Sequence, residues 1–242
     1  YLDSRIGVWH ATYGYQRNYR QEYDVQRVET SDAQLNLTLN TQTVNVNLEH
    51  VKLGNLSGEI GVDGIYQENY MQPGDRVFLP NYFSRGAAAY IIERYRHNGW
   101  MLEGGLRYDY RWYEAFNPEG SNQQVVRYEY NFKNVSGTLG LTKNVKEGWQ
   151  LSAILSNAWR APQANELFSA GLHHGAARIE LGNKKLLPER SYNLNIESKN
   201  DWSDKLSTAL SLYTQYIRDF IYLDPGADIL TIRGYFKTFN YR

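Results

Sequence analysis

The sequence predicts an all-β protein, an antiparallel transmembrane β-barrel of about ten strands, and three observations carry that prediction. Apolar and polar residues alternate over long runs, the connections between runs are alternately short and long, and tryptophans stand near the ends of the runs. From Trp100 the even positions read Trp100, Leu102, Gly104, Leu106, Tyr108, Tyr110 and Trp112, while the odd ones include Glu103, Arg107, Asp109 and Arg111. A period of two with one apolar and one charged face is the pattern of a strand lying between two media. Helical periodicity is not sustained over a comparable length.

Taken in order, strands are expected over residues 5 to 19, 35 to 50, 56 to 68, 85 to 97, 100 to 113, 130 to 143, 149 to 160, 188 to 201, 206 to 223 and 232 to 242. In the third, Leu56, Gly58, Ile60, Val62, Gly64 and Tyr66 oppose Ser57, Glu59, Asp63 and Gln67. Trp149, Leu151, Ala153, Leu155 and Trp159 oppose Gln150, Ser152, Ser156 and Arg160; Tyr192, Leu194 and Ile196 oppose Asn193, Asn195 and Glu197; Leu206, Leu210, Leu212 and Tyr216 repeat the rhythm. The second strand changes phase, with Leu35, Leu37 and Leu39 odd but Val44, Val46 and Leu48 even, which predicts a bulge or an extra turn near Asn40 to Thr43. Short turns are expected at Val51 to Asn55, Asn98 to Gly99, Asn144 to Gly148 and Trp202 to Lys205, and much longer loops in between. Short turns at one rim and long loops at the other mark an outer-membrane barrel.

Composition excludes other classes. The 242 residues hold 26 Lys plus Arg against 26 Asp plus Glu, so no net charge is present to attract nucleic acid, and none is expected as a partner. The absence of cysteine removes disulfides, thiolate zinc sites and thiol catalysis. The longest apolar run, Ala87 to Ile92, falls far short of the roughly 20 residues of a membrane-spanning helix. No glycine-rich turn feeds a helix and no catalytic constellation stands out, so neither an enzyme nor a resident cofactor is expected. The chain opens at Tyr1 without a signal-peptide pattern and stops at Tyr241-Arg242, which suggests a piece of something longer.

Tryptophan placement gives the membrane reading a length. Trp100, Trp149 and Trp202 flank short turns, and Trp112 and Trp159 lie at the opposite strand ends. Ten to twelve tilted steps of about 3.3 Å span roughly 25 to 30 Å, the height of a lipid-facing band between aromatic girdles. Glu103, Arg107, Asp109 and Arg111 are then expected to line a wet lumen, mainly solvated and paired with one another.

The stretch Trp159-Arg-Ala-Pro-Gln-Ala-Asn-Glu-Leu-Phe-Ser-Ala-Gly171, followed by Leu172-His-His-Gly175, Glu180-Leu-Gly-Asn183 and Leu187-Pro-Glu-Arg-Ser191, resembles TonB-dependent outer-membrane receptors, as does Glu103-Gly-Gly-Leu-Arg-Tyr-Asp109. The resemblance implies a 22-stranded barrel in the cell outer membrane, filled by an N-terminal plug, importing a scarce nutrient with energy from the TonB complex. Ten strands make residues 1–242 a partial barrel, its C-terminal half, with the plug and the remaining strands outside this chain. The partners it implies are the TonB complex through that plug, outer-membrane lipid, and an iron-siderophore, haem or metal complex as cargo.

Candidate cargo residues fall in the loop between residues 161 and 187. His173 and His174, with Glu166 and Glu180 nearby, combine donors suited to zinc or iron. Adjacent histidines on an extended segment point apart, so a chelate requires a turn or a third ligand. Arg178 and Arg160 suit an anionic siderophore or pairing with loop carboxylates, and Tyr113 belongs to a set of aromatics at loop bases available for stacking or interface anchoring. The same residues also suit a loop-building role, with Glu166 bonding backbone and Gly171, Gly175 and Gly182 permitting turns. Two rivals follow from the same pattern: a self-contained ten-stranded outer-membrane enzyme such as a surface protease, and an adhesin-like binding barrel.

Overall fold

The computed structural model describes residues 2–23, 33, 35–71, 78–120, 122–173, 176–231 and 234–242. The alternating runs form β1 (Leu2–Ser4), β2 (Gly7–Glu22), β3 (Leu35–His50), β4 (Leu56–Met71), β5 (Asn81–His97), β6 (Trp100–Glu119), β7 (Gln124–Lys146) and β8 (Trp149–Arg160). The loop that follows holds helix α1 (Ala164–Phe168), β9 (Ala170–His173) and β10 (Arg178–Leu181). The chain then resumes with β11 (Glu189–Ser203), β12 (Leu206–Arg218), β13 (Leu223–Thr231) and β14 (Gly234–Tyr241). One ten-stranded antiparallel sheet runs in the order β1-β2-β3-β4-β5-β6-β7-β8-β11-β12, and a second sheet runs β13-β14-β10-β9.

Nine of the ten expected strands form the main sheet, as β2 to β8, β11 and β12. The ninth ends at Arg218 rather than residue 223, and the tenth member of the sheet is the three-residue β1, because residues 234 to 241 join the small sheet instead, pairing β13 on one side and, in parallel, β10 on the other. The expected bulge near residues 40 to 43 is absent: β3 keeps one register with β2 from Gly7↔His50 to Glu22↔Leu35, and with β4 from Leu37↔Met71 to Glu49↔Glu59. The phase change has another cause, an apolar patch on the otherwise polar face. Strands β6 and β7 also run past the expected ends, to Glu119 and from Gln124, and near those ends side chains pair across the ladder, Arg127 with Glu114 and Tyr128 Oη with Glu119 at 2.7 Å.

Register divides the main sheet into two faces. One carries Asp63, Tyr90, Glu103, Arg107, Ser136 and Asn195; the other carries Val62, Ile91, Leu102, Leu106, Leu139, Leu155 and Leu194. On the second face large apolar side chains lie open, Leu106 and Leu155 each 57% exposed and Leu212 63%. A continuous apolar surface of this extent marks contact with something other than water. The buried apolar clusters sit instead near one rim of the first face: Tyr113, Ala115, Ala164, Leu167 and Phe168 in one, and Leu35, Leu37, Met71 and Phe78 in the other.

Candidate ligand cavity

At the rim bearing the long connections, the polar face encloses a cavity of about 750 Å³. Its wall is built from alternate residues of neighbouring strands, which a period of two brings to one side. Most of the charges on this face are answered: Arg107 bonds Asp63 and, through Nε at 2.8 Å, Asp109; Arg94 Nε donates to Glu103 at 2.6 Å. Arg111 differs. Its Nε donates to Ser84 Oγ at 2.8 Å and a terminal nitrogen donates to Gln67 Oε1 at 2.7 Å, both neutral, and no carboxylate pairs with it among the described residues. Two residues along the same face, Tyr113 is 6% exposed and its buried hydroxyl has no hydrogen-bond partner among the described residues. Leu35, Leu37, Leu39, Phe78 and Leu79 give the cavity an apolar stretch of wall.

The loop after β8 roofs this space. Arg160 donates to both Glu166 oxygens, at 2.9 and 2.8 Å, and through Nε to Glu189 at 2.7 Å, so the end of β8 is tied to α1 and to the start of β11. Glu166 in turn accepts the Gln163 backbone N–H at 2.7 Å, opening α1. The helix drives Leu167, 1% exposed, and Phe168 into a nest of Tyr113, Tyr128 and Tyr130, with Phe168 and Tyr113 stacked at a centroid distance of 6.2 Å. A second tie joins Lys184 to Glu119 on the β6 tip, with Tyr128 donating to the same carboxylate. Bonds from Lys184, Tyr128 and Asn117 hold the Glu119 carboxyl down at about 2. Partial burial opposes the Lys184 charge, but its bonds to Glu119 and Tyr128 raise it on balance. Because the Glu119 value is depressed, its contribution is present above the ordinary carboxylate range and lost as pH falls through about 2. Hydrogen exchange at the Lys184–Lys185 amides is therefore expected to stay slow from about pH 7 to about pH 4 in the parent, and to rise at about pH 7 in Glu119→Gln.

Of the residues expected to meet cargo, Tyr113, His173, Arg178 and Glu180 line the cavity, whereas Glu166 is committed to the roof. His174 lies outside the described residues. His173 is engaged on both ring nitrogens, Nδ1 with Glu180 at 3.0 Å and Nε2 with Glu22 at 3.4 Å, and Glu180 also accepts from Arg178 Nε at 2.7 Å. Burial pushes the Glu180 carboxyl up, but His173 and Arg178 outweigh it and keep it below the usual range. Tyr241 of β14 adds its hydroxyl to Glu180 at 3.4 Å, so the small sheet closes one side of the cavity. Among the described residues no group of three His, Asp or Glu side chains is arranged to hold a metal ion.

Of the tryptophans expected in the girdles, Trp100, Trp112, Trp149 and Trp202 stand on the apolar face. Trp100 lies under the Lys143 ammonium at 4.6 Å, Trp112 donates to Glu129 at 2.9 Å, Trp149 to Ser198 at 3.2 Å and Trp202 to Thr208 at 2.9 Å. Trp159 departs from the girdle position expected of it. The β7–β8 ladder stops at Asn157, and beyond it the Trp159 indole turns to the cavity and donates to Asp109 at 3.2 Å. Sequence reasoning misses the apolar wall of Leu35, Leu37 and Leu39 as part of a site, although its signal is the phase change itself.

The family described as "TonB dependent receptor-like, beta-barrel" matches residues 1–241. Among solved structures, the chain is similar to "Copper transporter OprC", with 17% identity, a TM-score of 0.68 and coverage of 98% of this chain and 39% of that one. It is also similar to the Serratia marcescens hemophore receptor HasR, solved as a double mutant with its hemophore HasA and heme: 15% identity, TM-score 0.66, 96% of this chain and 40% of that one. The FrpB iron transporter of Neisseria meningitidis, F5-1 variant in apoprotein form, gives 16%, 0.61, 95% and 36%. The chain thus spans well under half of each of these proteins, and at such identities the likeness speaks for the fold. With alternating faces, an open sheet and a family match over nearly its whole length, the chain belongs to the TonB-dependent receptors, as a part of their β-barrel.

Proposed function

We propose that this chain forms the C-terminal half of an outer-membrane barrel and that the intact protein, energised by the TonB complex through a plug outside this chain, takes up a chelated nutrient: an iron-siderophore, haem or another metal complex. Members of the family are outer-membrane barrels. The exposed apolar face between Trp100 and Trp112, about 30 Å tall at about 3.3 Å per residue and about 40° of tilt, supports the same placement here. The polar face is then the lumen wall and the cavity opens among the extracellular loops.

The observation that carries the cargo reading is Arg111 beside Tyr113. Among the described residues, a half-buried guanidinium answered only by neutral groups stands next to a buried hydroxyl without a partner, a pair of donors suited to an anionic acceptor. The flanking Leu35–Leu37–Leu39 wall suits the apolar body of a chelate. Arg111→Gln in the intact receptor is expected to weaken cargo binding by about 10- to 100-fold, the range of one charged hydrogen bond, and Tyr113→Phe by less. Ligand binding to outer-membrane vesicles, with a ferric siderophore, haem and a copper complex as probes, reads both. Unchanged affinity for every probe would overturn the site, and uptake that persists without TonB would overturn the energised step.

A further inference from the structure

Register sets Arg190 of β11 directly opposite Arg218 of β12. Both share the parity of the apolar face, which carries Tyr192, Leu194 and Ile196 on one strand and Leu212 and Tyr216 on the other, and neither lines the cavity, unlike Trp159 opposite Arg190 on β8. Like charges placed opposite each other across two strands repel and weaken the pair. Asp219 answers only Arg218, from Oδ2 at 3.4 Å. Among the described residues Arg190 has no carboxylate partner, since Glu189 beside it is held by Arg160 and by the Ile221 N–H at 2.6 Å. Both arginines are exposed.

Their surroundings say what fits between them. One step below, Tyr192 and Tyr216 stack at 6.4 Å, and beneath the rings Leu194, Ile196, Leu210 and Leu212 lie open. Asn200 stands opposite Trp149, so Arg190 is about 25 Å above the lower aromatic level, at the upper edge of the apolar band. Arg85 and Lys133 are exposed on the same face near the Trp112 level, also without a carboxylate partner among the described residues; Arg85 lies over the Trp112 ring at 5.2 Å.

We propose that Arg190 and Arg218 form a clamp for a phosphate of a phosphorylated lipid in the outer leaflet, whose acyl chains lie over Leu194, Ile196 and Leu212. Two guanidinium forks match phosphate oxygens in number and geometry, and the anion converts the repulsion between the arginines into attraction for a shared partner. The stacked tyrosines occupy the headgroup boundary, where amphipathic rings settle. The inference rests on the membrane placement proposed above and is independent of cargo.

The test uses the intact receptor, purified in detergent and examined by native mass spectrometry with lipid A carrying its phosphates, the same lipid dephosphorylated, and inorganic phosphate as competitor. The parent is expected to retain the phosphorylated lipid at least tenfold better than Arg190→Gln/Arg218→Gln, with no such difference for the dephosphorylated lipid. Arg127→Gln removes a charge already answered by Glu114 and should leave retention unchanged. In lipid-free detergent Arg190→Gln is expected to raise the thermal midpoint, and added phosphorylated lipid to reverse that order, which also establishes that the variant folds. Equal retention by parent and double variant would overturn the clamp, as would complete displacement of the lipid by millimolar inorganic phosphate, which would make this a free-anion site. Cargo uptake in the double variant should match the parent, so a failure of the clamp leaves the transport reading standing and a failure of transport leaves the clamp testable.

Discussion

Replacing Arg160 with Leu is expected to open the cavity roof while leaving the main sheet folded. Among the described residues, Arg160 alone bonds both Glu166 and Glu189, and each carboxylate accepts one further bond. Glu166 accepts the Gln163 N–H that starts α1, and Glu189 accepts the Ile221 N–H beyond β12. Their side chains are only 11% and 14% exposed. Without the guanidinium, two half-sequestered negative charges face each other unanswered. Breaking a buried ion pair costs about 3–5 kcal/mol; the Arg160 side chain is itself 36% exposed, so solvent screening reduces this to about 1–3 kcal/mol. Concentrated on the loop, that corresponds to about a 10- to 100-fold loss of cargo affinity in the intact receptor. The barrel should keep its heat-modifiable electrophoretic mobility, since the ladders from β2 to β8 do not involve this side chain. Arg160→Lys retains the charge without the fork and should fall between the two. Parental affinity in Arg160→Leu would show that the roof does not depend on this tie.

This dependence explains why the loop is the most legible part of the sequence. A run in which Arg160, Glu166, Gly182 and Glu189 must all serve one local geometry leaves a recognisable string, and its loop-building reading accounts for Glu166 fully. The strands are legible for a different reason: a period of two declares two faces wherever the media on the two sides differ, as from Trp100 to Trp112. Alternation is silent where the media stop differing. Leu35, Leu37 and Leu39 sit on the polar face, but Leu35 and Leu37 pack with Phe78 and Met71 and Leu39 continues the cavity wall, and a change of surroundings without a change of register writes the same pattern as a bulge. Pairing with both neighbours decides between them, and pairing is not local information. Trp159 departs for a related reason. Its parity is right for the apolar face, but β8 loses its β7 neighbour after Asn157 and the indole finds Asp109. Likewise residues 234 to 241 alternate well enough to be strand, yet nothing in them states which sheet they join. Arg111 and Tyr113 are visible as a lumen charge and a loop-base aromatic, but their lack of partners exists only in three dimensions.

The second large effect is expected from the smallest residue in the roof. Gly182 extends the β9–β10 ladder by donating its N–H to Ser169 O at 2.7 Å, which draws it against the end of α1. A Cβ built there would lie 2.6 Å from the Leu167 carbonyl carbon and 2.7 Å from its oxygen, backbone atoms that cannot rotate away. Gly182→Ala must therefore separate β10 from α1, and the helix is where the strain is relieved, because β10 is laddered to β9 and β14 whereas α1 rests on the Leu167 and Phe168 side chains and the Glu166 bonds. Leu167 and Phe168 then leave the nest of Tyr113, Tyr128 and Tyr130. Truncating a buried Phe costs about 3–5 kcal/mol where the surroundings stay rigid, so Phe168→Ala, which empties the same nest without touching β10, sets the scale. Hydrogen exchange at the Leu167 to Ser169 amides should accelerate at least tenfold in both variants. Exchange at Gly182 should accelerate only in Gly182→Ala, since its bond to Ser169 is strained there alone. If Gly182→Ala leaves the α1 amides protected, the close approach is relieved by movement of β10, and the tyrosine nest, rather than the glycine contact, fixes the roof.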